Sequence, residues 1–158
     1  MKPKGILLTG GAGYIGSHTL EQLRAQGEKV VVLDNLYTGF RAAVGDARLV
    51  IGDAGDETLI GDLLREHDID TIMHFAAHTI VPESVGDPLK YYRNNTVATI
   101  ALLRAAVNHG VRHFVFSSTA AVYGVPESGA ASEDTPPAPI NPYGSSKLAA
   151  ERILADVA

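Results

Sequence analysis

Tyr143 and Lys147 are the two side chains whose types and spacing best suit chemistry. They lie four residues apart after Pro142, so in a helix that begins there they share one face. A tyrosine with the ordinary pKa of about 10 is a poor base at neutral pH, whereas a neighbouring ammonium group favours the phenolate. The pair predicts a phenol that accepts and returns a proton. Taken alone, the same spacing also fits an ordinary solvent-facing helix pair.

A glycine-rich stretch near the N-terminus, Thr9–His18, predicts a dinucleotide site. An apolar run, 5–9, precedes it and an amphipathic segment, 14–26, follows it, which is the strand–turn–helix context that such a loop requires. Glycines permit the sharp turn and a close approach to a pyrophosphate, and the amides at the helix N-terminus face its charge. The predicted cofactor contacts in this stretch are Gly10, Gly13, Tyr14, Ile15 and Gly16.

Asp34 ends the second apolar run, 30–33, and lies 18 residues after Gly16. This is near the separation expected for the acid that accepts hydrogen bonds from the adenosine ribose. A carboxylate there repels a 2′-phosphate, so the sequence predicts NAD rather than NADP, with Asn35 as a further contact. The alternative is that Asp34 only caps a turn before Asn35.

With a nicotinamide cofactor, Thr119, Tyr143 and Lys147 predict a site that moves a hydride to or from an alcohol carbon. Thr119 follows the fifth apolar run and offers its hydroxyl to the substrate oxygen that Tyr143 serves. Further cofactor contacts are predicted after the third and fourth runs, at Asp53, Ala54, Phe75, Ala76 and Ala77. Asp53 suits the adenine amine, although Asp53 or Asp56 equally suits the cap of the next helix.

Apolar runs that predict strands alternate with segments that predict helices. The strands are predicted at 5–9, 30–33, 48–52, 71–75 and 112–116, and the helices at 14–26, 56–66, 89–108 and 142–158. A loop with Pro82, Gly86 and Pro88 is predicted before the third helix, and a long functional loop over 124–142. The alternation predicts a Rossmann-type α/β fold, a doubly wound parallel sheet of strand order 3-2-1-4-5, with ligands at the carboxyl ends of the strands.

The composition is that of one soluble globular domain over residues 1–158. Hydrophobic residues make up 46% and charged residues 20%, with a net charge of −5 and no cysteine. This predicts no nucleic-acid partner, no membrane and no disulfide framework. The short start at residues 1–4 does not resemble a signal peptide, so a cytoplasmic location is expected. The six histidines suggest no metal site.

Five blocks in this order resemble the extended short-chain dehydrogenase/reductase family and, within it, the UDP-glucose (UDP-galactose) 4-epimerases. They are TGGAGYIGSH (9–18), LDNLYTG (33–39), HFAAHTIVPESVGDPLKYYRNN (74–95), FSSTAAVYG (116–124) and EDTPPAPINPYGSSK (133–147). Five matched blocks are far more specific than any one of them. The resemblance covers the whole chain as the NAD-binding half of that family.

The resemblance implies a mechanism. Tyr143 would take the proton of the sugar 4-hydroxyl while the C4 hydride passes to NAD, and the 4-keto sugar would turn over before hydride returns. Lys147 would bind the nicotinamide ribose and lower the tyrosine pKa. Thr119 would be the hydroxyl partner and Asn95 would hold the UDP-sugar near its pyrophosphate, so the implied substrate contacts are Asn95, Thr119 and Tyr143.

Related activities in the same superfamily fit less well. Nucleotide-sugar dehydratases carry Asp-Glu directly after the active-site threonine, and decarboxylases usually keep the glutamate, whereas this chain has Ala120 and Ala121. A non-catalytic dinucleotide-binding module is the remaining alternative, but such proteins typically lose the tyrosine or the lysine. Both are present here.

Length separates this chain from the family, whose members are about twice as long. We expect a fragment that lacks the C-terminal substrate domain, the alternative being a natural minimal form. The 158-residue chain alone is then expected to be a poor or inactive epimerase, whose retention of NAD the sequence leaves open. The family also implies a homodimer through helices 89–108 and 142–158. Which UDP-sugar is used is likewise left open.

Overall fold

The computed structural model describes residues 4–126 and 129–158. Its strands are β1 (Gly5–Thr9), β2 (Lys29–Asp34), β3 (Arg48–Ile51), β4 (Ile69–His74) and β5 (His113–Phe116). Its α-helices are α1 (Tyr14–Ala25), α2 (Glu57–Glu66), α3 (Val81–Gly86), α4 (Pro88–Tyr91), α5 (Ala98–Asn108) and α6 (Pro142–Val157). Two 3₁₀ turns, Arg41–Val44 and Ala120–Tyr123, and a π-helical turn, Tyr92–Val97, complete the described elements.

The five described strands form one sheet in the order β3-β2-β1-β4-β5, and every neighbouring pair is parallel. The predicted fold class and strand order are confirmed. Successive side chains of a strand point to opposite faces, so Leu7 and Leu8 of β1 enter two different cores. Leu7 packs with α2 and α5 side chains such as Ile60 and Leu102, and Leu8 packs with Leu20 of α1.

The chain divides into two compact units. One comprises the chain up to Ala76 together with Ala101–Ser117, and it holds the sheet. The other comprises Ala77–Ile100 together with Ser118–Ala158, and it holds α3, α4, the π-helical turn and α6. Each unit carries part of the predicted functional residues, and each is described by itself below.

The segment after β4 differs from the predicted loop because both of its prolines lie in the first turns of helices. Pro82 lies in the first turn of α3, and Pro88 is the first residue of α4, positions where a missing N–H costs nothing. Asp87 caps α4, since its Oδ1 accepts from the Lys90 amide at 3.1 Å. The predicted helix 89–108 therefore starts one residue earlier, and it widens to a π-helical turn in its middle.

The predicted C-terminus of that helix is confirmed. Gly110 has a φ of 69°, and the Val111 amide donates to the Ala106 oxygen at 2.9 Å, as in a Schellman motif. The predicted long loop begins at Gly124, after a 3₁₀ turn, and its residues 127–128 lie outside the described part of the chain. Pro142 belongs to α6 and not to the loop, because it is the first residue of that helix.

Candidate functional site

The glycine loop lies between β1 and α1. Gly10 has a φ of 73°, in the left-handed region, and its amide donates to the Leu33 oxygen at 2.9 Å. A Cβ added at Gly10 would lie 2.5 Å from the Ala76 nitrogen, and one added at Gly16 would lie 2.2 Å from the Gly10 oxygen. No side chain of the described residues caps α1 at Gly13. The loop is thus a cradle that only glycines can form, and the first-turn amides of α1 suit a phosphate.

The side chain of Asp34, the last residue of β2, hydrogen-bonds to this loop. Asp34 is 8% exposed, and its Oδ2 accepts from the Ala12 amide at 2.9 Å. Its Oδ1 accepts from the Leu36 amide at 2.8 Å, which is the turn cap that the sequence left as an alternative. Asp34 therefore does cap a turn, but it also binds the glycine loop. Each carboxylate oxygen can accept a further hydrogen bond, so the ribose contact stays a prediction.

The two acids that follow β3, Asp53 and Asp56, were both candidates for the cap of the next helix, α2. Asp56 caps α2, because its Oδ1 accepts from the amide three residues later at 3.0 Å. Asp53 is exposed, and its Oδ1 accepts from the Gly55 amide at 2.7 Å. The cap therefore belongs to Asp56, and the predicted adenine contact of Asp53 and Ala54 remains a prediction. Asn35 closes a similar turn through the amide two residues later, at 3.0 Å.

Two predicted contacts on α1 are large apolar side chains that stay exposed. Tyr14 is 83% exposed and Ile15 57%, although both lie in the first turn of α1, next to the glycine loop. Neither belongs to the core, so each is available to a ligand. Phe75 and Ala76 directly follow β4, and Ala77 begins the second unit.

Tyr143 and Lys147 lie on α6 in the second unit. Asn141 caps this helix, since its Oδ1 accepts from the Gly144 amide at 2.8 Å, and the predicted helix start is confirmed. Tyr143 is 9% exposed and Lys147 is 3% exposed. The alternative of a solvent-facing helix pair is therefore wrong, because the shared face of phenol and ammonium is buried.

Thr119 begins the 3₁₀ turn Ala120–Tyr123, and its Oγ1 accepts from the Ala121 amide at 3.2 Å. A Cβ added at Gly144 would lie only 2.5 Å from the Ala121 oxygen. The first turn of α6 therefore packs directly on the turn that Thr119 begins. Within the second unit, the structure brings the segments of Thr119, Tyr143 and Lys147 together.

Burial lowers the pKa of Lys147. Desolvation lowers the pKa of Lys147 from 10.5 to about 8, against the opposing effect of the Glu151 carboxylate one turn later. The Glu151 carboxylate in turn accepts a hydrogen bond from the Ser118 hydroxyl. Near neutral pH the lysine is an ammonium group that has lost most of its water, and it can lend positive charge to a neighbouring oxyanion or ribose hydroxyl.

The buried lysine predicts an unusual pH dependence of stability. Below pH 8, Lys147 is protonated in both the folded and the unfolded chain, whereas between about pH 8 and 10.5 only the unfolded chain holds the proton. The contribution of Lys147 to the free energy of unfolding therefore rises with pH across this window, by about 3 kcal/mol. Lys147→Met is expected to remove this rise, as measured by urea denaturation from pH 7 to 10.5.

Lys29→Met, which makes the same change at an exposed lysine of β2, is the matched control. If the free energy of unfolding rose equally with pH in the unmodified protein and in Lys147→Met, the proposed effect of the buried ammonium would be wrong.

Asn95 lies on the π-helical turn and is 1% exposed. Its Oδ1 accepts from the His78 amide at 2.8 Å and from Asn94 Nδ2 at 3.0 Å. Its Nδ2 donates to the His78 oxygen at 3.0 Å and to Ser146 Oγ at 3.1 Å. Both hydrogens and both lone pairs of the amide are used within the chain. This arrangement joins the segment after β4 to α6 and does not favour the predicted direct contact of Asn95 with substrate.

Several buried polar groups were missed by sequence reasoning. Thr9 Oγ1 lies 2.6 Å from His74 Nδ1 where β1 and β4 end, and both residues are buried. Tyr91 is fully buried, and its hydroxyl lies 2.7 Å from Glu83 Oε2. The pattern Asp87-Pro88 was the one available signal, since it marks a helix start that would have placed Tyr91 one turn inside.

Two negative findings apply to the described ranges, 4–126 and 129–158. No helix there is long and apolar enough to cross a bilayer. Nor do three or more His, Asp or Glu side chains in those ranges form a group that could hold a metal ion.

Comparison with known proteins matches both the fold and the motifs. A model of the NAD dependent epimerase/dehydratase family matches residues 6–158. The UDP-glucose 4-epimerase of Lacticaseibacillus casei is 54% identical over 156 residues, which covers 97% of this chain and 47% of that protein. The chain spans about half the length of the curated relatives that it matches.

Solved structures superpose closely. The UDP-glucose 4-epimerase from Brucella ovis in complex with NAD has a TM-score of 0.94 and 44% identity, over 97% of this chain and 47% of that chain. The UDP-glucose 4-epimerase from Bifidobacterium longum in complex with NAD⁺ and UDP has a TM-score of 0.92 and 38% identity, over 98% of this chain and 49% of that chain.

Proposed function

Because the chain belongs to the NAD dependent epimerase/dehydratase family, we propose that it supplies the cofactor site and the catalytic residues of a UDP-glucose (UDP-galactose) 4-epimerase. The reaction inverts C4 of a UDP-hexose through a transient 4-keto sugar. Among the relatives it matches, UDP-glucose 4-epimerases are 51% and 54% identical to it over almost its whole length. Half of the length of those relatives has no counterpart here, so the activity of the whole protein is part of the proposal.

The glycine cradle fits a dinucleotide. A Cβ at Gly10 or Gly16 would clash with backbone atoms of the chain, so only glycines allow the tight turn that brings the loop to the start of α1, where the uncapped amides provide donors for a pyrophosphate. The carboxylate of Asp34 favours NAD over NADP because it would repel the 2′-phosphate of NADP. We propose that the residues that hold NAD are Gly10, Gly13, Tyr14, Ile15, Gly16, Asp34, Asn35, Asp53, Ala54, Phe75, Ala76, Ala77 and Lys147.

Bound NAD supplies the acceptor and donor for the hydride of the sugar C4. Side chains of the protein accept and return the proton. Tyr143, as phenolate, accepts the proton of the 4-hydroxyl and later returns it to the 4-keto oxygen. Lys147 stabilises the phenolate with its buried ammonium and binds the nicotinamide ribose, and the Thr119 hydroxyl donates to the same sugar oxygen.

The observation that carries the proposal is the buried Tyr143–Lys147 pair beside a turn that contains Ala120 and Ala121. The phenol and ammonium that proton transfer requires are present on one helix face. The carboxylates that elimination of water or loss of carbon dioxide would need at 120 and 121 are absent from the sequence. Epimerisation needs only the phenol and the ammonium.

The first test is the nucleotide content of the protein. The purified protein is denatured, and the nucleotide that it releases is identified and quantified. We expect about one NAD and no NADP per chain, taken up during expression or on titration with NAD. UDP-galactose added to the full-length protein should then reduce bound NAD transiently and yield UDP-glucose. A full-length protein that neither retains nor binds NAD would overturn the proposal, and so would NAD binding by the full-length protein without any reaction of a UDP-sugar.

The same proposal includes a homodimer through helices 89–108 and 142–158 and a cytoplasmic location. Exposed apolar side chains support the dimer on both segments, since Leu89 is 77%, Val97 57% and Val157 47% exposed. Sedimentation velocity on the preparation used for nucleotide analysis gives the mass, and a monomer at high concentration would contradict the dimer.

A further inference from the structure

Tyr91 places a phenol hydroxyl in the interior of the second unit. Its oxygen accepts from the Ile80 amide at 3.0 Å, and it lies 2.7 Å from both Glu83 Oε2 and the Ile80 carbonyl oxygen. A phenol has one hydrogen, and a carboxylate is the stronger acceptor. The Ile80 carbonyl also receives the Ser84 amide at 3.1 Å. Tyr91 therefore donates to Glu83 and accepts from Ile80, and each of these groups has a partner.

Glu83 is held from its other side by Lys90, whose Nζ lies 2.5 Å from Oε1. The hydrogen bonds from Lys90 and then from Tyr91 lower the pKa of Glu83. Burial, followed by the hydrogen bond to Glu83, raises the pKa of Tyr91 to about 12. Glu83 therefore stays ionised and Tyr91 stays neutral around neutral pH. Tyr91 is unsuited to accept a proton, in contrast to the role proposed for Tyr143.

The ring of Tyr91 contacts the candidate catalytic tyrosine. The centroids of the Tyr91 and Tyr143 rings lie 6.3 Å apart with their planes at 81°, a T-shaped contact. The His78 ring lies 5.7 Å from the Tyr91 ring. A single buried side chain thus supports Tyr143 with its ring, while its hydroxyl anchors Ile80 and the segment that follows β4.

We propose that Tyr91, held by Glu83, is a positioning residue that fixes the Tyr143 ring and the segment 78–80 for hydride and proton transfer. This inference rests on the proposed function, because Tyr143 is the base of that reaction. Tyr91 itself touches no reacting atom in this role. The expected consequence of losing its hydroxyl is a slower chemical step at nearly unchanged affinity for NAD.

Amide hydrogen exchange tests the anchor without any cofactor or sugar. In Tyr91→Phe the ring remains, but the Ile80 amide loses its acceptor, and we expect it to exchange at least about 10-fold faster. Tyr92→Phe is the matched control, since Tyr92 is the next residue along the chain and is 38% exposed. In the control, the exchange rate of the Ile80 amide should stay within about 2-fold. Unchanged exchange in Tyr91→Phe would overturn the anchor.

Single-turnover reduction of bound NAD by UDP-galactose in the full-length protein tests the positioning. We expect the rate to fall about 10-fold in Tyr91→Phe, since small displacements of reacting groups cost this much or more, while the Kd for NAD changes less than about 3-fold. Glu83→Ala leaves the buried ring intact and should slow the reaction similarly. Glu83→Gln keeps an acceptor for the Tyr91 hydroxyl and should restore most of the rate.

The outcomes separate this inference from the proposed function. If the unmodified protein reduces NAD and the Tyr91→Phe and Tyr92→Phe proteins do so at equal rates, the positioning role is wrong and the proposed function stands. If Glu83→Gln is as slow as Glu83→Ala, the acceptor role of Glu83 is wrong. A full-length protein that binds no NAD or leaves it unreduced overturns the proposed function and, with it, the positioning role.

Discussion

Gly16→Ala is expected to destabilise the folded protein and to weaken NAD binding. The new methyl group would lie 2.2 Å from the Gly10 oxygen and 2.8 Å from the Gly11 Cα. Both neighbours are backbone atoms, which cannot rotate aside as a side chain does. Overpacking of this severity costs about 3 kcal/mol. We expect a loss of that size in the free energy of unfolding, measured by urea denaturation, and a loss of at least about 10-fold in NAD affinity, measured by calorimetry.

Gly86→Ala is the control for this substitution. Apart from its chain neighbours and the backbone of its own helix, no atom of the described residues lies within 4 Å of a Cβ built at Gly86, and the residue ends α3. Alanine there is expected to be neutral or to stabilise by up to about 1 kcal/mol, because it is the better helix former. If Gly16→Ala matched Gly86→Ala in both stability and NAD affinity, the close approach of α1 to the loop would be refuted.

Asp34→Asn is expected to cost both stability and cofactor affinity. The carboxylate accepts from the Ala12 and Leu36 amides, but an asparagine has one oxygen and must turn its NH₂ toward one of these donors. Loss of a hydrogen bond to a charged acceptor costs about 2 kcal/mol. We expect the free energy of unfolding to fall by that amount and the Kd for NAD to rise about 30-fold or more, since the proposed contact with the ribose is weakened too. The preference for NAD over NADP should shrink, because the repelling charge is gone.

Asp46→Asn tests whether removing any carboxylate has this effect. Asp46 is 84% exposed and paired with Arg24, so its substitution should change stability by less than about 1 kcal/mol. A fall in stability without a fall in NAD affinity in Asp34→Asn would leave Asp34 as an internal cap and would contradict its proposed contact with the ribose.

The sheet was predictable because its information is local. The apolar run before Thr9, the glycines after it and the acid at Asp34 each demand a particular backbone, and right-handed crossovers then leave few strand orders. Helix ends were predictable for the same reason, as at Asn141-Pro142 and Gly110. The structure reproduces each of these features within one or two residues.

The interior of the second unit was not predictable, because its polar groups find partners far along the chain. Asn95 was predicted from the family resemblance as a substrate contact, yet its amide bonds His78 and Ser146, 17 and 51 residues away. The π-helical turn that carries it has no local sequence signal. Proline and glycine between 82 and 88 indicated a loop, whereas the Asp87 cap and two first-turn prolines made helices of it.

The buried ammonium of Lys147 lowers the stability of the folded chain near neutral pH, whereas the proposed function requires it. Its depressed pKa means that the folded chain holds this charge at a cost near neutral pH, and an apolar side chain of similar length would remove that cost. A selection for heat resistance alone would therefore favour replacement of Lys147, while a selection for the proposed epimerase activity is expected to retain it. Variant libraries screened under the two regimes should therefore differ at position 147, and a consensus drawn from thermostable variants alone would omit a lysine that the proposed function requires.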